Sequence, residues 1–230
     1  MTKLGIVTGM AFEADILHAA ADRLAEAQRP IIVCHGFGRS ASRRAALEAV
    51  SLGAEALLSF GIAGGLDLAL KAGNVIAATA VRDGTTTIPC DEAWSARLRE
   101  RIDGFAPISG VIAHGARVLT TPAEKRLLRE ATSAAAVDME SYGIAEIAGT
   151  KDLPFTALRV IADTAEDALP DVAVAATTPD GHVAVMRSVV GALAHPQQIP
   201  ALIWLGRRTN TARGVMKELT DLGLARSFFV

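Results

Sequence analysis

The sequence has only two cysteines, Cys34 and Cys90, far apart in the chain. Such a pair suggests neither a disulfide framework nor a zinc site. Its five histidines are scattered without H-x-x-x-H or H-x-H spacing, so no metal ligand set is expected. Runs of basic residues are lacking as well, and the formal charge is −2 at pH 7. That balance argues against nucleic acid or an anionic membrane as the main partner. No uninterrupted apolar run approaches the ~18–20 residues that a spanning helix requires. The opening stretch MTKLGIVTGMAFEAD meets an acid too soon for a signal peptide. The expected protein is cytoplasmic, with a peripheral membrane contact left open.

What is present is apolar content. Half of the 230 residues are hydrophobic, enough for one substantial core and a single α/β domain spanning residues 1–230. Short apolar runs bounded by glycine alternate with helical patterns, the mark of a largely parallel sheet. Strands are expected at KLGIVTG, PIIVCHG, EALLSFG, NVIAATAV, GVIAHG, AAAVDM and FTALRVIAD. Helices are expected at AFEADILHAAADRL, SASRRAALEAVSLG, DEAWSARLRERI, PAEKRLLREAT and ESYGIAEIAGT. Thr121 and Pro122 read as the N-cap and first turn of the fourth of these, and Gly149 as a C-cap of the fifth. After Asp163 the stretch TAEDALPDVAVAATTPDG reads as a loop. HVAVMRSVVGALAH, QQIPALIWLGRRTNTARG and VMKELTDLG then read as terminal helices, with residues 196–230 a helical extension.

Several short motifs carry chemistry, each with a plainer structural account beside it. HGFGRSA satisfies the G-x-G-x-x-G/A dinucleotide fingerprint through Gly36, Gly38 and Ala41. The next strand, EALLSFG, lacks the ribose-binding acid at its end, and a tight βα turn accounts for these glycines better. Gly61, Gly64 and Gly65 form a backbone that a ligand can approach closely, or a turn where two elements pack. Glu13 lies just beyond the first strand, where ligands collect in α/β sheets, but also where a helix dipole favours an acid. Asp163 is the first acid after a long apolar strand, and a solvent-facing Asp is the alternative.

VDMES is the least expected of these stretches, because carboxylates rarely go into apolar surroundings unpaired. If a helix starts near Met139, Asp138 sits at its cap. Glu140 then heads an apolar stripe with Gly143, Ile144 and Ile147, in a first turn where the dipole favours charge. Asp138 therefore has a structural explanation and Glu140 has none.

In order, these motifs read G-M-x-x-E, G-x-A-G-G-L with a following G-[DN]-V, V-[DE]-M-E and R-x-x-[SA]-D. The series resembles the purine nucleoside phosphorylase and nucleosidase superfamily, including the methylthioadenosine nucleosidases, from Leu4 to Asp163. GARVLTTPAEKRLL, AAAVDMESYGIAEIA, LPFTALRVIAD and HPQQIPALIWLGRR resemble, more narrowly, the hopanoid-associated phosphorylases. The resemblance implies a three-layer α/β/α phosphorylase-type fold around a mixed, largely parallel sheet. It implies cleavage of the bond between purine and ribose through an oxocarbenium-like state, in the narrower group with adenosylhopane as substrate.

On the same resemblance Met139 and Glu140 grip the ribose, Asp163 activates the base at N7, and Glu13 orients and deprotonates an attacking water. Gly64, Gly65, Ile62 and Val137 line the pocket. Two departures stand out: Ala162 and Ile62 occupy places where family members often carry serine. The phosphate-binding arginine expected before the glycine block is replaced by Leu57, Leu58 and Ser59, which leaves Arg39 as the candidate for phosphate. Phosphorolysis and hydrolysis both stay open, as does a methylthioadenosine or adenosylhomocysteine nucleosidase. A nucleotide-binding module without turnover is the alternative of a different class. No cofactor is expected beyond inorganic phosphate as a co-substrate, and a homodimer is the expected assembly. IPALIWLGRR, with Trp204 and Arg207, reads either as a helix closing the core or as an apolar ramp for a lipid.

Overall fold

The strands show little of the alternation that a half-exposed sheet produces. In a computed structural model, which describes residues 2–169 and 199–225 (the latter with side chains from Gly206 to Gly223), β1 (Leu4–Thr8) and β8 (Phe155–Asp163) are buried along their whole length. A sheet covered by helices on both faces requires this. The other strands are β2 (Ile31–Cys34), β3 (Ala56–Gly65), β4 (Val75–Asp83), β5 (Thr86–Pro89), β6 (Ile108–His114) and β7 (Ala136–Asp138).

The hydrogen-bonded order is β2-β1-β3-β7-β6-β4-β5, with β8 pairing both β3 and β4. β3 is long enough to take β8 in parallel over most of its length and then β7 antiparallel at Gly64 and Gly65. β7 pairs β6, β6 pairs β4, and β4 returns to β8. The pairings thus close a ring β3–β7–β6–β4–β8–β3, with β2 and β1 extending the sheet beyond β3. Parallel pairs dominate, and the antiparallel ones are β3–β7, β4–β5 and β4–β8. The sequence pattern predicts the largely parallel character of this sheet, and the family resemblance its mixed one.

One face is covered by α2 (Arg39–Ser51) and α5 (Ser141–Thr150), whose Ala45, Ala46, Ala49, Ile144 and Ile147 pack with Val7, Leu57 and Ile161. The other carries α1 (Ala11–Ala21), α3 (Glu92–Arg101) and α6 (Ile199–Ala225), through Leu17, Trp94, Leu98, Met216 and Leu219. Helix α4 (Pro122–Thr132) starts as expected. Thr121 Oγ1 accepts from Glu124 N at 3.3 Å, and Glu124 Oε2 accepts from Thr121 N at 3.0 Å, closing a capping box around Pro122.

Four expectations need correction. β5 is absent from the sequence reading; it is a short edge strand, turned at Gly84 and ended by Pro89, which tolerates an edge because it cannot donate there. β3 does not stop at Gly61 but runs through the glycine block to Gly65. Gly149 is not a cap: α5 continues to Thr150 and Lys151 takes the C-cap position. QQIPALIWLGRRTNTARG and VMKELTDLG do not form two helices, because α6 passes unbroken through Gly214. From Ala212 onward α6 closes the core, with Ala212, Met216 and Leu219 buried. The loop expected after Asp163 is described only as far as Leu169, and HVAVMRSVVGALAH lies outside the described residues, as does the side chain of Trp204.

Candidate functional site

Two turns and two strand ends meet beside β3. The first turn, Gly9–Met10, follows β1 and opens α1. Glu13 folds back on it, with Oε2 accepting from Gly9 N at 3.0 Å and Met10 N at 2.9 Å. Oε1 of the same carboxylate accepts from Ile62 N on β3 at 2.8 Å. Glu13 is thereby buried against the middle of the sheet, not merely favoured by the helix dipole. Burial raises its pKa above the ordinary range, opposed by the charge of Arg159 and by the three backbone donors.

The second turn follows β2. Gly36 and Gly38 take φ values of 91° and 93°, the left-handed region that glycine enters without steric cost. This confirms the tight βα turn, and its Gly38 N–H donates to Glu140 Oε1 at 3.0 Å. Glu140 is itself the N-cap residue of α5, so the helix begins two residues later than the sequence suggests. Asp138, the last residue of β7, still supplies the cap: its Oδ1 accepts from Glu140 N at 3.2 Å and Ser141 N at 3.1 Å.

Asp138 has a second partner that sequence reasoning left without a role. Arg159, in the middle of β8 and 1% exposed, donates from Nε to Asp138 Oδ2 at 2.6 Å. Its NH2 reaches Ser59 Oγ at 2.7 Å and Ser141 Oγ at 3.1 Å, and lies 3.9 Å from Glu140 Oε2. Burial works against its charge, but Asp138, Glu140 and Glu13 together hold its pKa above the ordinary value. The signal was a lone arginine in the otherwise apolar run FTALRVIAD, since a buried cation on a central strand demands anions.

Three carboxylates thus surround one guanidinium, and the compensation is incomplete. Burial first, and then the charge of Asp138, push the Glu140 pKa up to about 7, with Arg159 and the Gly38 N–H opposing. The glycines record how tightly these groups press on the backbone. A Cβ on Gly9 would stand 2.7 Å from Glu140 Cδ, and one on Gly61 2.6 Å from Glu13 Oε1 and 2.7 Å from Arg159 NH1. All three distances are shorter than real Cβ contacts, so a side chain at either position would force its neighbours to shift.

Further along β3 the same device receives the fourth acid. A Cβ on Gly64 would be 3.3 Å from Asp163 Oδ2 and 3.2 Å from Val137 Cγ1, and one on Gly65 3.1 Å from the Asp163 carbonyl oxygen. Asp163 ends β8 and is 8% exposed, so it is not the solvent-facing alternative. Burial raises its pKa, and Lys125 opposes. Lys125, itself buried on α4, donates to Asp163 Oδ2 at 2.5 Å. Nothing in PAEKRLL distinguishes this lysine from the charged residues around it, and the sequence reading does not single it out.

Of the residues expected in the site, Glu13, Ile62 and Glu140 come together around Arg159, and Gly64, Gly65, Val137 and Asp163 gather at the end of β3. Met139 is half-buried and lies in the chain between β7 and α5. Arg39 stands apart. Its guanidinium is engaged by Glu146 at 2.5 and 2.9 Å and by Asp83 at 2.7 Å, and it stacks over the Tyr142 ring 4.8 Å from the centroid. No group of His, Cys, Asp and Glu side chains among the described residues could hold a metal ion.

The fold has counterparts among known proteins. The family model described as the phosphorylase superfamily matches residues 3–193. The chain is similar in structure to a 5′-methylthioadenosine/S-adenosylhomocysteine nucleosidase from Neisseria meningitidis, solved with methylthio-immucillin-A. The TM-score is 0.73 at 16% identity, over 99% of this chain and 100% of that one. It is also similar to the Helicobacter pylori nucleosidase with 5′-methylthioadenosine in the active site, with TM-score 0.70, 17% identity and coverage of 96% and 99%. Futalosine hydrolase of Helicobacter pylori matches with TM-score 0.68 and 18% identity, over 96% and 97% of the two chains. At these identities the structural likeness establishes the fold.

Proposed function

The chain belongs to the phosphorylase superfamily, and we propose that it hydrolyses the N-glycosidic bond of an adenine nucleoside. The observation that carries this reading is the spacing of three acids, Glu13, Glu140 and Asp163, beside β3. Glu13 and Glu140 meet near Gly61 and Gly9, while Asp163 meets Gly64. Gly61 and Gly64 are three residues apart, roughly 10 Å at the rise of an extended strand. That span suits a ribosyl unit at one end and a purine at the other.

In this reading Glu140 accepts hydrogen bonds from the ribose hydroxyls and places negative charge beside the developing oxocarbenium ion. Glu13 takes a proton from water as the water oxygen attacks the anomeric carbon. The C–N bond breaks, its electron pair moves into the purine, and Asp163 delivers a proton to N7. Free sugar and adenine are the products. The upward push of burial on its pKa suits the Asp163 carboxyl to that step. Met139, Ile62, Val137, Gly64 and Gly65 are assigned to the walls.

Water is preferred to phosphate because of Arg39. Three of its five N–H donors go to Glu146 and Asp83, and Arg159 already donates to Asp138 and to the Ser59 and Ser141 hydroxyls. Adenosylhopane is the favoured nucleoside, on the resemblance of the sequence to the hopanoid-associated group. Methylthioadenosine is the second reading, favoured by the solved structures, one of which holds that molecule. An assay of adenine release tests the assignment. Glu140→Gln and Asp163→Asn are each expected to lower turnover by roughly 10²-fold. Full activity in both variants places the chemistry elsewhere, and no base release by the unaltered protein leaves only a binding module.

A further inference from the structure

A lysine ammonium has three protons to donate and no acceptor. Lys125 places all of its protons inside the protein, on Asp163 Oδ2 at 2.5 Å, the Thr164 carbonyl at 2.7 Å and the Asp167 carbonyl at 2.9 Å. Its side chain is 1% exposed. The two carbonyls belong to the turn after β8, which is closed by Thr164 N donating to Asp167 Oδ2 at 2.7 Å and Asp167 N to the Thr164 carbonyl at 3.1 Å. One ammonium therefore ties α4 to the segment that carries Asp163. An apolar side chain would bridge the two at lower desolvation cost, so stability alone does not account for a buried cation here. Residue 162 is alanine and offers Asp163 no donor. Lys125 bonds Oδ2, one of the two carboxylate oxygens of Asp163.

We propose that Lys125 is a positioning residue for Asp163: it fixes Oδ2, leaves Oδ1 to meet the leaving base, and sets the acidity of the carboxyl. The inference rests on the reading of Asp163 as the acid. The charged groups that face Asp163 are Lys125 from α4, Asp167 from the following turn, and Arg208 from α6, which lies 3.4 Å from Asp167 Oδ2. Burial and Asp167 favour the protonated carboxyl, and Lys125 and Arg208 favour the ionised one. Lys125 is the nearest cation and the one that also bonds the carboxylate. Without it Asp163 holds its proton more tightly and yields it to N7 less readily.

The test is a carboxyl ¹³C NMR titration of Asp163, its resonance assigned by its loss in Asp163→Asn, alongside adenine release as a function of pH. In Lys125→Met the titration midpoint is expected to rise by about one pH unit or more, the size of effect an adjacent opposite charge exerts. Turnover is expected to fall at least 10-fold, and the alkaline limb of the rate profile to move upward with the midpoint. Lys125→Gln, which keeps two donors without the charge, is measured in the same way if Lys125→Met does not fold. An unchanged or lowered midpoint in the folded variant overturns the inference, whatever the loss of rate. Full turnover in Asp163→Asn instead removes Asp163 as the acid, and the titration then still shows whether Lys125 governs its proton.

Discussion

Arg159 holds Asp138 at 2.6 Å and Glu140 only at 3.9 Å. The direct partner of the buried cation is thus the acid that caps α5, and the acid assigned to the ribose is left with part of its burial uncompensated. This asymmetry has measurable consequences.

Glu140→Gln should make the protein more stable while making it less active. A carboxyl raised from its ordinary 4.5 to about 7 favours the fold below pH 4.5, where it is neutral in both states. That contribution is lost as pH rises through about 7, because the folded state then has to ionise a buried group. The difference is at most about 3 kcal/mol, from 1.4 kcal/mol per pH unit. Urea denaturation should therefore place the variant above the unaltered protein at pH 8, with little difference at pH 4.5. An equal difference at both pH values would show that the glutamine acts by packing and not by charge.

Arg159→Met should destabilise the protein. It removes the cation and leaves Asp138, Glu140 and Glu13 together in a buried site, a loss of about 3–5 kcal/mol where one partner of a buried pair is deleted. The penalty is that of crowded negative charge, so it should be smaller at pH 5 than at pH 8. A pH-independent loss measured by urea denaturation would assign Arg159 a packing role only.

The glycines offer a paired test. Gly61→Ala puts a methyl 2.6 Å from Glu13 Oε1 and 2.7 Å from Arg159 NH1, so the two side chains must move and turnover should fall by 10-fold or more. Gly149 lies within the last turn of α5 with nothing within 4 Å of an added Cβ. Gly149→Ala should accordingly stabilise the protein by roughly 0.5–1 kcal/mol. Thermal denaturation decides this, and a destabilised variant would restore the C-cap role that the sequence suggests.

The sequence discloses the four acids and the glycines, since each lies at a strand end or a turn where the pattern breaks. It does not disclose what the glycines are for. Ending β3 at Gly61 treats them as punctuation, whereas the strand continues, paired with β8 and β7, and is glycine there because Glu13, Arg159 and Asp163 press on it where a side chain would stand. Lys125 and the long reach of α6 are illegible for a related reason. A lysine among the charges of α4 has the same local pattern whether it points to water or to Asp163, and a single glycine at 214 costs a helix only about 1 kcal/mol. Both outcomes are decided by tertiary packing. The exposed side of α6 from Gly206 onward and its buried Met216 and Leu219 follow the same logic.

Arg39 should prove structural. Its links to Glu146 and Asp83 are half-exposed, so Arg39→Met is expected to cost about 1 kcal/mol in urea denaturation. Adenine release should stay within about twofold of the unaltered rate, with or without phosphate in the buffer. A variant that lost a dependence on phosphate present in the unaltered protein would return Arg39 to the site.

The central claim is that water, activated beside Glu13, takes the ribosyl unit from adenine. Adenosylhopane and methylthioadenosine should be incubated with the protein in phosphate-free buffer and again with added phosphate, with adenine and the sugar product identified by mass. Adenine and free sugar are expected in the absence of phosphate, at a rate that phosphate does not change. Release that requires phosphate and yields a sugar 1-phosphate, or no release from either nucleoside, would contradict the claim.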